Sequence, residues 1–147
     1  MNVFIIGTPL ETAKKLDKRR LNKQIIECGQ ILKAIAGDTK AWANHPCTLQ
    51  YSNPKNVYWW LLNYMDCLIA YREEFIKTAE YHSNLAEEYK PIFHTKEYFD
   101  QMKRRLYTKD PVHYAEFADL GTSDVNWYFV EGNWKYYKNG KVVNESI

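Results

Sequence analysis

The chain has 147 residues, 46% of them hydrophobic and 26% charged, which supplies one core and leaves no room for a second folded domain of ordinary size. A mean hydropathy of −0.57, with no apolar run near the roughly 18 to 20 residues that cross a bilayer, argues against a membrane-spanning helix. The formal charge of +2 is too small to announce a nucleic-acid partner, so only its placement carries information.

Asn2 to Gly7 are largely apolar and β-branched and run into Thr8-Pro9, which predicts a short strand or extended arm. The stretch lacks a basic leader and is not a signal peptide, so the expected location is the cytoplasm. From about Leu10 to Ala36 helix formers dominate. Leu21, Ile25, Cys28, Leu32 and Ile35 recur at helical spacing, predicting one buried stripe that stops at Gly37-Asp38-Thr39. Ala41 to Asn53, broken by Trp-Ala-Asn-His-Pro and Ser-Asn-Pro, is expected to be a structured loop without regular elements.

A second helix should start near Pro54 or Lys55 behind an Asn53 cap and reach about Phe75, burying Val57, Leu61, Met65, Leu68 and Phe75. Ile76 to Glu88 continues it or follows a kink, and Pro91 ends it. Glu97 to Tyr107 is a third, shorter helix, separated by Asp110-Pro111 from the rest. Beyond Gly121 the chain turns aromatic. Glu131-Gly132-Asn133 and Asn139-Gly140 are turn pairs, so Trp127–Phe129, Trp134–Tyr137 and Lys141–Val143 form small strands or an ordered tail on the helices. The expected fold is mainly α: a compact helical bundle, one domain over residues 1–147, with a short N-terminal extended segment and an aromatic C-terminal tail or small hairpin.

Cys28, Cys47 and Cys67 form no C-x-x-C pair, so neither a disulfide framework nor a zinc site has its spacing, and buried thiols are expected. His82, His94 and His113 have no metal-binding rhythm and are expected to be structural. Phosphate-loop, dinucleotide-binding and hydrolase-elbow signatures are absent.

Charge is concentrated. Lys14, Lys15, Lys18, Arg19, Arg20 and Lys23 face one acid, Asp17, while Glu73, Glu74, Glu80, Glu87 and Glu88 gather elsewhere. Such a basic helix face neutralises phosphates, or is simply solvated, and Lys103, Arg104, Arg105, Lys135, Lys138 and Lys141 are candidates to extend it. Glu27 follows Lys23 and Arg20 on the same helix face, where it either pairs with Lys23 or moves protons and stabilises a cationic intermediate at a sugar carbon. Asn44-His45-Pro46 offers an amide and an imidazole suited to a phosphate or base edge, or to a capped turn. The chain also carries 12 Tyr, 6 Phe and 5 Trp. In the tail, Trp127-Tyr128-Phe129 with Trp134-Lys135-Tyr136-Tyr137-Lys138 interleaves rings and cations as a base-stacking surface does, or closes a helical core.

In order, Leu16-Asp17-x-x-Arg20-Leu21 leading to Glu27, then Trp42-Ala43-Asn44-His45-Pro46, a long helix, and Trp134 to Lys141 resemble the pyrimidine-dimer DNA glycosylases of phages and bacteria. The likeness covers roughly residues 1 to 75 and the tail. It implies a helical domain that binds damaged duplex DNA, flips a nucleotide, cleaves the glycosidic bond at a pyrimidine dimer and nicks the abasic site. It also implies an N-terminal α-amine that forms a Schiff base with the sugar C1′, assisted by a helix carboxylate matching Glu27. An α-amine suits this because its ordinary pKa of roughly 7.7 to 8.0 leaves a neutral fraction near pH 7.

Two departures stand out. The best-known members use the amine of a small second residue, whereas Asn2 here hinders removal of the initiator, which either makes Met1 the candidate nucleophile or leaves the activity absent. Ile26 replaces the basic residue expected before the glutamate.

The resulting expectation is a glycosylase and abasic-site lyase with catalytic Met1 and Glu27. DNA would be held by Lys18, Arg19, Arg20, Lys23, Asn44, His45, Trp134, Tyr136, Tyr137, Lys138 and Lys141. No metal or cofactor is expected, the partner is duplex DNA and not a membrane, the protein is a monomer, and a phage-encoded chain would work in the host cytoplasm. The alternatives are a same-fold enzyme acting on modified bases in DNA, and a non-catalytic module that binds DNA, a nucleotide or a host protein.

Overall fold

A computed structural model describes residues 1–52 and 54–143. The chain divides into two compact units, Met1–Ile92 and Phe93–Ile147.

In the first unit residues 1–5 form neither helix nor strand, and residues 6–8 bend into the first helix. Of the two forms expected for Asn2 to Gly7, the structure has the arm. Helix α1 (Pro9–Lys15) starts with a complete capping box: Thr8 Oγ1 accepts from Glu11 N and Glu11 Oε1 accepts from Thr8 N, both at 3.1 Å. Helix α2 (Lys18–Ala36) follows after a break at Leu16-Asp17. The single helix expected from Leu10 to Ala36 is therefore two. The reason is local: Asp17 is extended, and its carboxylate caps α2 at Arg20 N while pairing with the Arg20 guanidinium at 3.2 Å. Gly37, at φ 83°, closes α2 as predicted. Leu21, Cys28 and Leu32 are buried, with Ile25 and Ile35 at the edge of the stripe.

A short helix, α3 (Pro46–Ser52), lies where a loop was expected. Pro46 occupies its first position, where the missing N–H costs nothing. Helix α4 (Lys55–Arg72) is the hub of this unit, packing against α1, α2, α3 and the next helix, α5 (Ile76–Glu87). The Asn53 cap expected for α4 lies outside the described residues. Tyr51, Trp60 and Tyr64 are fully buried and stack in series, with centroids 5.6 and 5.0 Å apart. Each such pair adds about 0.5–1.5 kcal/mol beyond burial. Helix α4 ends before Phe75, because Glu74 turns left-handed at φ 67°; Phe75 precedes α5 and is 65% exposed rather than buried. Leu10 N donates to Ser83 Oγ at 3.0 Å, tying α1 to α5.

The second unit contains α6 (Lys96–Lys109), capped by Thr95, a 3-10 helix (Ala115–Leu120) that the sequence did not suggest, and an antiparallel meander of β1 (Asn126–Val130), β2 (Asn133–Lys138) and β3 (Lys141–Val143). Both turns fall on the predicted pairs. Glu131 and Gly132 have φ 54° and 78°, Asn139 and Gly140 have 52° and 76°, and positive φ at both central residues is the pattern of tight hairpin turns. Two of the cations named as candidates to extend the basic face, Arg104 and Arg105, are engaged within this unit. Arg104 Nε donates to Leu120 O at 2.9 Å, and Arg105 donates to Asn126 Oδ1 and Ser123 O at 3.0 Å. No described helix is long and apolar enough to cross a membrane.

Candidate active site at the amino terminus

The N-terminal arm is buried: Asn2 is 5% exposed, Val3 and Ile5 0%. A buried segment without a strand partner must satisfy its backbone by other means, since each unmade bond costs about 1–3 kcal/mol. Side chains do this here. Gln24, buried on α2, donates from Nε2 to Asn2 O at 2.9 Å and accepts at Oε1 from Phe4 N. Tyr64 Oη donates to Phe4 O at 2.7 Å, and Thr12 Oγ1 accepts from Ile6 N at 3.1 Å. The Val3 amide points at the Cys47 thiol on α3. Residues 2 to 4 are thus gripped from α2, α3 and α4, which fixes where residue 1 emerges.

The α-amine of Met1 emerges into a shared electrostatic neighbourhood. Burial pushes the Cys47 thiol up to about 12; the N-terminal ammonium opposes this shift, the Glu27 carboxylate adds to it, and the Val3 amide and Gln50 pull it back. Cys28 is raised by burial, then by Cys47 and Glu27. His45 is lowered, first by burial and then by the same ammonium. The N-terminal ammonium and the Glu27 carboxylate thus lie within electrostatic reach of Cys47, and the same ammonium within reach of His45. Glu27 is half-buried, one helical turn beyond Gln24 on α2. Both thiols are protonated at neutral pH, which makes them packing groups and not nucleophiles.

His45 shows, of the two roles open to it in the sequence, that of the capped turn. Its Nδ1 accepts from Cys47 N at 3.0 Å, and its carbonyl accepts from Leu49 N, so it caps α3 with a half-buried imidazole. An accepting Nδ1 places the ring proton on Nε2. Asn44 is exposed in the preceding turn.

Along the basic run Lys18, Arg19 and Lys23 are exposed, whereas Arg20 is engaged with Asp17. Ile26, beside Glu27, is 62% exposed. Gln24, Tyr64 and Cys47 were not recognised as site residues from sequence. The only hint was a glutamine interrupting the stripe between Leu21 and Cys28.

The tail residues belong to the second unit. Trp134 and Tyr136 share a sheet face with Trp127 and Phe129, their cross-strand partners being Phe129 and Trp127. Trp134 also lies 5.6 Å from the buried Tyr98 ring, so it closes that unit's core as well as reaching the surface. Tyr137 lies on the other face beside Tyr128. Lys138 pairs with Asp124 at 3.4 Å, and Lys141 is exposed. Among the described residues, no group of three or more His, Cys, Asp or Glu side chains is placed to hold a metal ion.

The chain has no significant match to a curated protein sequence or to a solved structure. Against protein families, residues 1–74 match the pyrimidine dimer DNA glycosylase family. The matched segment runs from the arm through α4 and contains Met1, Gln24, Glu27, His45, Cys47 and Tyr64. It covers just over half of the 147 residues, and the protein belongs to the pyrimidine dimer DNA glycosylase family.

Proposed function

We propose that this protein excises a base at pyrimidine-dimer or otherwise altered pyrimidine sites in duplex DNA and then cleaves the abasic strand, using the α-amine of Met1. The observation that carries this reading is the buried, side-chain-clamped arm. Only a positioned amine gains the large advantage that proximity gives an attacking group.

In the proposed reaction the amine nitrogen bonds to C1′ as the C1′–base bond breaks, and the base leaves with that electron pair and takes up a proton. Opening of the sugar ring at O4′ forms the iminium. Loss of a proton from C2′ then expels the 3′ phosphate, and water releases the amine. Glu27 supports the cationic intermediate and moves protons. Lys18, Arg19 and Lys23 hold phosphates, with Arg20 shaping the start of α2. Asn44 and His45 meet the strand beside the site, His45 through its ring N–H. Trp134, Tyr136, Tyr137, Lys138 and Lys141 are proposed as a further DNA-contacting surface of a protein working as one DNA-glycosylase-like domain and as a monomer.

The test is incubation with dimer-containing, abasic and undamaged duplexes, scored for strand cleavage. Cleavage of the first two, abolished in Glu27→Gln, supports the reading; full activity of Glu27→Gln removes it. Residues 75–147 lie outside the family match, which favours a second reading in which the same chemistry targets a modified base. Cleavage of modified-base DNA with none at dimers would select it.

A further inference from the structure

Trp42 combines features that folding alone does not account for. Its backbone is left-handed, at φ 65°, a region that bulky side chains rarely enter. Full burial of the ring does not offset this strain, since Trp42 is 45% exposed. The turn around it is ordered: Ala43 N bonds to Lys40 O and His45 N to Trp42 O. Its indole meets the His45 ring edge-on, with centroids 5.7 Å apart. His45 is itself pinned by Cys47 N and feels the N-terminal ammonium. A large flat apolar ring is thus held out beside the candidate site. Backbone outliers held by well-determined surroundings concentrate at functional sites.

We propose that Trp42 is the stacking residue of this site: its indole packs on the nucleobase faces exposed at a damaged position and keeps the duplex open there. The inference rests on the DNA-glycosylase reading above. Opening a stack exposes base faces to water, and an aromatic plate or inserted apolar wedge replaces the lost contact. Stacking needs no counterion release. It therefore predicts a loss of affinity with an unchanged salt dependence, unlike the loss of a phosphate contact.

The experiment measures binding of the full chain to a duplex carrying a tetrahydrofuran abasic analogue, and to its undamaged counterpart, by fluorescence anisotropy over a range of salt concentrations. The analogue forms no Schiff base, so binding is read apart from the amine chemistry. Wild type, Trp42→Gly and Trp42→Tyr are compared. Glycine accepts the positive φ, which offsets part of the lost indole packing, and melting curves confirm that folded Trp42→Gly is what is compared.

The expected result is about a tenfold weaker affinity of Trp42→Gly for the analogue duplex at every salt concentration, with the slope unchanged and the loss largely restored by Trp42→Tyr. Equal affinity of Trp42→Gly and wild type, a flattened salt slope, or equal losses on damaged and undamaged DNA would each overturn the proposal. The lyase reading fails separately, if wild type forms no borohydride-trapped adduct with natural abasic DNA while this binding pattern holds.

Discussion

The two ends of the described chain are held in opposite ways. The C-terminal strands exchange hydrogen bonds backbone to backbone, so their pairing depends little on which side chains stand at each position. The N-terminal arm has no strand partner and gives its backbone groups to particular side chains, Gln24, Tyr64 and Thr12, with Cys47 facing the Val3 amide. A ladder is tolerant; a side-chain clamp is written in single residues. The difference places the chain's precision at the end from which the α-amine emerges.

The most disruptive substitution is Gln24→Leu, which removes both bonds from Gln24 to the arm and leaves Phe4 N and Asn2 O buried without them. The expected cost is roughly 2–5 kcal/mol by urea denaturation, with at least a tenfold loss of abasic-site cleavage in the protein that remains folded. Tyr64→Phe removes only the bond to Phe4 O and the weaker one to Gln24, and should cost about 1–2 kcal/mol by the same measurement.

The sheet supplies the contrast. Gly132→Ala forces a side chain onto φ 78° and should cost about 1 kcal/mol, with cleavage per folded molecule unchanged. A large loss of cleavage chemistry from this turn would erase the distinction between the two ends.

The smallest expected effect is a pH slope. His45 has a folded pKa below its ordinary 6.5, so the unfolded chain binds its proton first. Its contribution to stability is complete above about pH 6.5 and is lost as the pH falls through the lower folded value. His45→Asn keeps an acceptor for Cys47 N and should flatten this part of the stability curve. An unchanged curve in urea titrations between about pH 7 and 5 would sever the link to His45.

How much of this the sequence disclosed follows from the range of the interactions. Gly37, the hairpin turns and the stripe on α2 are local patterns, and all were legible. The break at Leu16-Asp17 was also local, but the helix-forming residues on both sides masked the Asp17 cap. Helix α3 was hidden because Pro46 reads as a breaker when it stands at a helix start. Phe75 was misplaced because helical periodicity continued across Glu74, while the backbone turned left-handed there. Within the candidate site, Glu27 and His45 stood out by residue type and by resemblance. Gln24 and Tyr64 did not, since their partners are backbone atoms of residues 2 to 4 and those pairings span 20 to 60 positions. Arg104 and Arg105 stood out by charge alone, which did not disclose the carbonyls within their own unit that engage both.

The central claim is that this clamp presents the α-amine of residue 1 for attack at C1′. Its most direct test is borohydride reduction during reaction with abasic duplex DNA, followed by peptide mapping of the adduct. One DNA adduct is expected, on the α-amine of Met1, sharply reduced in Gln24→Leu. An adduct on a lysine side chain, or none while the abasic strand is still cleaved, would contradict it.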